Sequence, residues 1–171
     1  GHVPDVTQIP RSQAQANQFI YRLGKKSYDQ YFGHYLHNLA EMRRNNKNDF
    51  DWAANRTLYS KIFAANAKGL ISGLHDVSEG GFLPCLTEFL TMNELGINLN
   101  FQSGIDRTAF LYSELPGHFV AAVAKDKKNQ FESHFDSSLW ELVGETNDSG
   151  IIGIDDQSIP VRELTQVWRS L

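Results

Sequence analysis

The sequence predicts an α+β fold: a mixed, largely antiparallel sheet with helices packed on one face. Three observations predict it. Short apolar or alternating runs at residues 18–24, 70–74, 97–101 and 118–124 have the length and periodicity of strands. Residues 51–68 and 82–92 carry apolar side chains at helical spacing. The two kinds of element alternate irregularly, with at least two antiparallel pairings implied, unlike the strict rhythm of a doubly wound parallel sheet.

Along the chain, residues 1–17 are polar with Pro4 and Pro10 and read as a linker or a loosely packed entry strand, and residues 18–171 read as a single domain. Residues 18–24 alternate and stop at Gly24, a strand. Residues 25–39 are rich in aromatics (Tyr28, Tyr31, Phe32, Tyr35), best explained by core or interface packing, and residues 43–49 read as a polar loop or a frayed helix end. Trp52, Leu58, Tyr59, Ile62, Phe63 and Ala67 form a helical stripe that ends at Gly69. Residues 70–74 follow as a buried strand, residues 75–81 as a loop, and residues 82–92 as a second helix, with Pro84 tolerated in its first turn. Residues 97–101 and 118–124 read as strands, with residues 110–112 as a further short run before the loop 113–117. Residues 125–135 suggest a helix, residues 140–145 and 150–154 a late hairpin, and residues 161–171 a short final helix or strand.

Composition narrows the function. A formal net charge of -4 gives no basic footprint for nucleic acid. No apolar run approaches the roughly 20 residues of a membrane span, and residues 1–10 lack the pattern of a secretion signal. The single cysteine, Cys85, excludes an intrachain disulfide and a cysteine-rich zinc site, and points to a reducing, cytoplasmic setting. Set among Phe82, Leu83 and Leu86, it reads as a buried, inert thiol.

The most informative stretch is residues 69–88, GLISGLHDVSEGGFLPCLTE. A strand leads into His75, Asp76, Ser78, Glu79, Gly80 and Gly81, and a helix begins beyond them. Ser78 is placed to cap that helix. Gly80 and Gly81 permit close approach of a ligand or of another backbone. Such a junction can offer amides to phosphate, and Asp76 can hold a divalent cation or brace the loop. A tight turn with no ligand accounts for the same residues.

HDVSEGG, preceded by GLI and followed by an apolar helix bearing Glu88, resembles the signature of the C-terminal domain of formylglycinamidine ribonucleotide synthetases. Aminoimidazole ribonucleotide and selenophosphate synthetases belong to the same superfamily but carry other words at this loop. Residues 3–6, residues 23–24 followed by 33–35, residues 111–119 (LYSELPGHF) and residues 161–171 match further elements of that family in the same order. Phe32 and His34 depart from its usual small residues.

The resemblance implies part of an ATP-dependent ligase of purine biosynthesis. The enzyme phosphorylates the formamide oxygen of formylglycinamide ribonucleotide, and ammonia derived from glutamine then displaces phosphate. ATP and Mg²⁺ belong to the full enzyme. The implied partners are the missing N-terminal ATP-binding half, a glutaminase subunit and a small bridging subunit. In the family, the loop matching residues 75–81 supplies a metal-ligand carboxylate, and the segment matching residues 113–116 helps hold substrate phosphate. Carried over, Asp76 is the metal position. Ser78, Gly80, Gly81, Ser113 and Glu114 are the phosphate- or nucleotide-binding positions. No catalytic residue is implied here, and His75 reads as a hydrogen-bonded strand-end histidine. Leu115 and Pro116 replace polar residues of the working copy, which implies a structural or regulatory nucleotide site and an inactive isolated chain. A different synthetase of the superfamily, or a non-catalytic interaction domain, stands as the alternative.

Overall fold

A computed structural model of the chain describes residues 9–26, 33, 51–168 and 170. The aromatic group at residues 28–35, His34, His37, Arg43, Arg44 and residues 3–6 lie outside these. The described strands are β1 (Gln18–Leu23), β2 (Gly73–Asp76), β3 (Gly96–Leu99), β4 (Phe119–Ala124), β5 (Trp140–Asn147), β6 (Ile151–Ile154) and β7 (Gln157–Pro160). The α-helices are α1 (Trp52–Ala67), α2 (Phe82–Thr91), α3 (Arg107–Tyr112), α4 (Lys128–His134) and α5 (Val161–Trp168). Among the described residues the strands form one seven-stranded sheet in the order β2-β4-β1-β5-β3-β6-β7. Every pairing is antiparallel except β3 with β6. The α+β class and the mixed, largely antiparallel sheet agree with the sequence.

The helices, by contrast, occupy both faces of the sheet rather than one. Ile20, Val120 and Ala122 turn to a core built with Phe82, Leu86, Phe89 and Phe110 of α2 and α3. Their neighbours Tyr21, Ala121 and Val123 turn to a second core with Leu58, Ile62 and Phe131 of α1 and α4. The unbroken apolar run of β4, FVAAVA, has this cause: a strand covered on both sides has no polar face.

Local signals set the helix ends. The Asp51 carboxylate accepts the Ala54 amide at 2.9 Å and starts α1. Gly69, at φ 63°, ends it, and the Leu70 amide bonds back to the Ala65 carbonyl at 3.0 Å. That reversal holds Leu70 and Ile71 beneath α1, so the strand expected at residues 70–74 begins only at Gly73 and runs through His75 and Asp76.

Two further expectations change. Residues 110–112 belong to helix α3, because Asp106 caps the Ala109 amide at 3.1 Å; three apolar residues cannot by themselves distinguish the two periods. Residues 140–145 and 150–154 do not form a hairpin. β3 inserts between β5 and β6, and β6 instead turns back on β7 through Asp155 at φ 56°. Residues 157–160 were not legible as a strand, being polar and ending in proline.

The stretch before β1 packs on the domain. Arg11 makes a parallel bridge to Gly73, and the fully buried Ala14 donates its amide to the Phe89 carbonyl at 2.9 Å. This covers the outer edge of β2, which would otherwise present unpaired backbone groups.

Candidate functional site

Antiparallel pairing of β2 with β4 puts the end of one strand beside the start of the other, with Asp76 opposite Phe119. The loop after β2 and the turn before β4 therefore emerge at the same end of the sheet. The Val77 amide extends the ladder by donating to the His118 carbonyl at 2.9 Å. HDVSEGG and SELPGHF, 34 residues apart at their point of contact, are thus brought together: the Gly80 amide donates to Glu114 Oε1 at 2.9 Å.

The two glycines are required at their positions. Gly80 and Gly81 have φ of 84° and 86°, a region that side-chain-bearing residues avoid. A Cβ on Gly81 would stand 2.5 Å from the Tyr112 carbonyl carbon and 2.7 Å from its Cα. The close approach read from the sequence is made here by a backbone, the last turn of α3. Both amides have partners within the chain, Gly80 in Glu114 and Gly81 in the Ser78 carbonyl at 3.1 Å. Ser78 was expected to cap α2 through its side chain. Instead the helix is capped by Gly81 without a side-chain bond, because the second positive φ carries the chain past Ser78 before the helix begins.

Ser113 is buried, and its amide ends α3 on the Ala109 carbonyl at 3.0 Å. Glu114 lies between Gly80 and Gly33, where a Cβ would come within 2.8 Å of the Glu114 carboxyl carbon. Asp76 is the outward group of the set, its side chain 70% exposed. His75 is a strand-end histidine held by neighbours: Nδ1 lies 2.8 Å from the Asp76 carbonyl and Nε2 lies 3.3 Å from Glu88 Oε2.

Cys85 sits against His75, with Sγ 3.4 Å from Nδ1, and donates to the Asp76 carbonyl at 3.2 Å. Burial, followed by the charges of Glu88 and Asp76, pushes its thiol well above the ordinary range. The buried, inert thiol is as expected. Labelling of the folded chain with a thiol-specific maleimide at pH 7.5 should proceed at least 100-fold more slowly than in denaturant; comparable rates would show that the helix opens readily.

Two groups under this junction escaped the sequence reading. Arg22, on β1, is 2% exposed; its Nη1 donates to the Phe110 carbonyl at 3.1 Å and its guanidinium lies 4.4 Å from the Phe110 ring centre. The strand alternation carried a signal, since Arg22 shares the parity of Ile20. His118 is also buried, with Nδ1 3.1 Å from the Leu115 carbonyl and Nε2 3.0 Å from that of Lys25. It tethers the turn to the segment after β1, and its ring fills the space that a Cβ on Gly24 would take.

Burial, and then the charge of Arg22, lower the His118 pKa to about 4 from 6.5. Between these values the unfolded chain binds a proton that the folded one refuses. The stability this contributes is fully present above the unfolded value and is lost as pH falls toward 4. A His118→Gln chain should therefore lose about 2 kcal/mol less stability than the parent between pH 7 and pH 4.5, read from urea midpoints. Equal losses would show that the ring is protonated without penalty.

Among the described residues no group of three or more His, Cys, Asp or Glu side chains is arranged to hold a metal ion. Asp76, exposed at the end of β2, fits Mg²⁺ as one protein ligand, an arrangement that ion accepts when phosphate oxygens and water complete its shell.

Residues 38–157 match the family described as AIR synthase related protein, C-terminal domain. The chain is 30% identical over 169 residues to the phosphoribosylformylglycinamidine synthase subunit PurL of Lactobacillus helveticus, an alignment covering 94% of the chain and 22% of that protein. It therefore spans less than a quarter of that relative. Its fold resembles that of Thermotoga maritima PurL complexed with FGAR, with a TM-score of 0.72 at 17% identity over 93% of this chain and 30% of that one. The structure of PurLQS from Thermotoga maritima gives a TM-score of 0.70 at 16% identity over 92% and 27%. With the strand–loop–helix junction and the SELPGHF turn in contact in a sheet of this topology, the chain belongs to the family of AIR synthase related C-terminal domains.

Proposed function

We propose that this chain is the C-terminal domain of the synthetase subunit of a phosphoribosylformylglycinamidine synthase. That enzyme is an ATP-dependent ligase that forms the amidine of formylglycinamide ribonucleotide from glutamine-derived ammonia. One observation carries the reading: the 30% identity to a PurL subunit runs along 94% of the chain without confinement to one motif. The partners in this reading are the ATP-binding half of the subunit, a glutaminase subunit and a small bridging subunit; the solved PurLQS structure of a fold relative supports a multi-subunit setting. No described helix is long and apolar enough to cross a membrane, which agrees with a cytoplasmic setting.

In this reading the domain's own residues perform positioning. Asp76, exposed at the end of β2, is the carboxylate available to Mg²⁺ when nucleotide phosphate brings the ion, and bound Mg²⁺ would neutralise charge on phosphate oxygens. Ser78, Gly80, Gly81, Ser113 and Glu114 shape the junction that faces the rest of the enzyme. Among the described residues none is assigned as a general base, and the isolated chain is expected to show no turnover.

The test is a chimera in which this chain replaces the matching C-terminal region of the Lactobacillus helveticus subunit. With ATP, Mg²⁺, ammonium and formylglycinamide ribonucleotide, the folded chimera should form product while the isolated chain does not. A folded chimera without turnover, beside an active parent, would overturn the assignment. Asp76→Asn in an active chimera should raise the Mg²⁺ requirement; an unchanged requirement would remove the metal role.

A further inference from the structure

Helix α2 lacks the usual means of satisfying its N-terminus. Its N-cap is Gly81, which has no side chain to offer, and its first turn holds no acidic residue. The first amides of a helix and its positive end attract an anion, and a capping side chain normally supplies one. A carboxylate from another element reaches the residue just before this N-cap. Glu114 follows α3 and accepts the Gly80 amide at 2.9 Å across 34 residues of sequence. The flanking contacts fix it there. Ser113, immediately before it, is 1% exposed and bonded to the Ala109 carbonyl. Gly81 is pressed on the Tyr112 backbone, and Gly33 lies against the Glu114 side chain.

We infer that Glu114 is a built-in anion for this junction: it occupies the Gly80 amide of the glycine loop, one residue ahead of the N-cap of α2, and excludes external phosphate from it. In this domain the glycine loop is then a clamp joining β2, α2, α3 and β4, and a phosphate reaches the Gly80 amide only by displacing Glu114. The inference concerns this chain alone and holds whether or not the parent polypeptide is a ligase.

The test is NMR on the ¹⁵N-labelled 171-residue chain, following Gly80 and Gly81 during titration with inorganic phosphate, together with amide exchange. In the parent chain neither amide should shift at millimolar phosphate. Glu114→Ala should accelerate Gly80 exchange about tenfold, the equivalent of a lost cap, and should make the amide respond saturably to phosphate. Glu114→Gln keeps an acceptor oxygen, so exchange should stay within about twofold of the parent while phosphate gains only weak access. A saturable phosphate shift at Gly80 in the parent chain would overturn the inference, and so would unchanged Gly80 exchange in Glu114→Ala. If Glu114→Ala does not fold, the phosphate response of the parent and the exchange of Glu114→Gln decide: silence with near-parental exchange supports it, and a parental response or exchange accelerated as by a lost cap sinks it.

Discussion

Replacing Gly81 with alanine is expected to destabilise the domain by about 3 kcal/mol or more. Two costs combine. At φ 86° and ψ -157° the residue occupies backbone space that is essentially reserved for glycine. The added methyl would also stand 2.5 Å from a backbone carbon of Tyr112, and backbone held by α3 cannot swing aside as a flexible side chain would. Gly69 supplies the comparison. Its φ is 63°, but nothing lies within 4 Å of a Cβ there, so Gly69→Ala should cost only about 1 kcal/mol of left-handed strain. Urea denaturation of both variants checks the difference. Equal losses would mean that the close approach of the glycine loop to α3 is soft, and that the junction is held by something other than this contact.

Arg22→Met is expected to cost about 3–5 kcal/mol. Arg22 is buried between Phe110 and Phe82, with its guanidinium 4.4 and 5.7 Å from their ring centres, and its Nη1 bonds the Phe110 carbonyl. Directly across the ladder on β5 is Glu141, equally buried. Removing the cation leaves a carboxylate in the core with less to offset its lost hydration. It also removes one donor from the Phe110 carbonyl near the end of α3, which precedes Ser113 and Glu114, so the damage should reach the junction. Adding Glu141→Gln to Arg22→Met should recover at least about 1 kcal/mol, a coupling that a double-mutant cycle of denaturation midpoints measures. Strict additivity would show that the two side chains do not act on one another through the ladder.

The strand–loop–helix junction was readable in outline because its glycines are required by local backbone geometry. Paired glycines ahead of an apolar run announce a sharp entry into a helix wherever they occur, and Cys85 among apolar neighbours announces a buried thiol. Arg22 and His118 were not readable in this way. An arginine in an apolar strand and a histidine after a glycine-ended turn have many possible surroundings. Their roles depend on Phe110 and Lys25, which arrive from elsewhere in the chain. Ser78 shows the opposite error: residue type suggested a cap, and the dihedral angles of the two following glycines displaced the helix start beyond its reach.

By itself the sequence determined what depends on neighbours a few residues apart: the α1 and α2 helices, the strand periodicity of β1 and β4, and the loop that must contain two glycines. Only the tertiary structure decided that β3 enters between β5 and β6, that helices cover both faces, and that Glu114 meets Gly80. The physical reason is range. Helix caps and turns are set by dihedral angles and hydrogen bonds within one or two turns of chain, whereas strand order and the partner of a buried charge are set by which distant surfaces exclude water together.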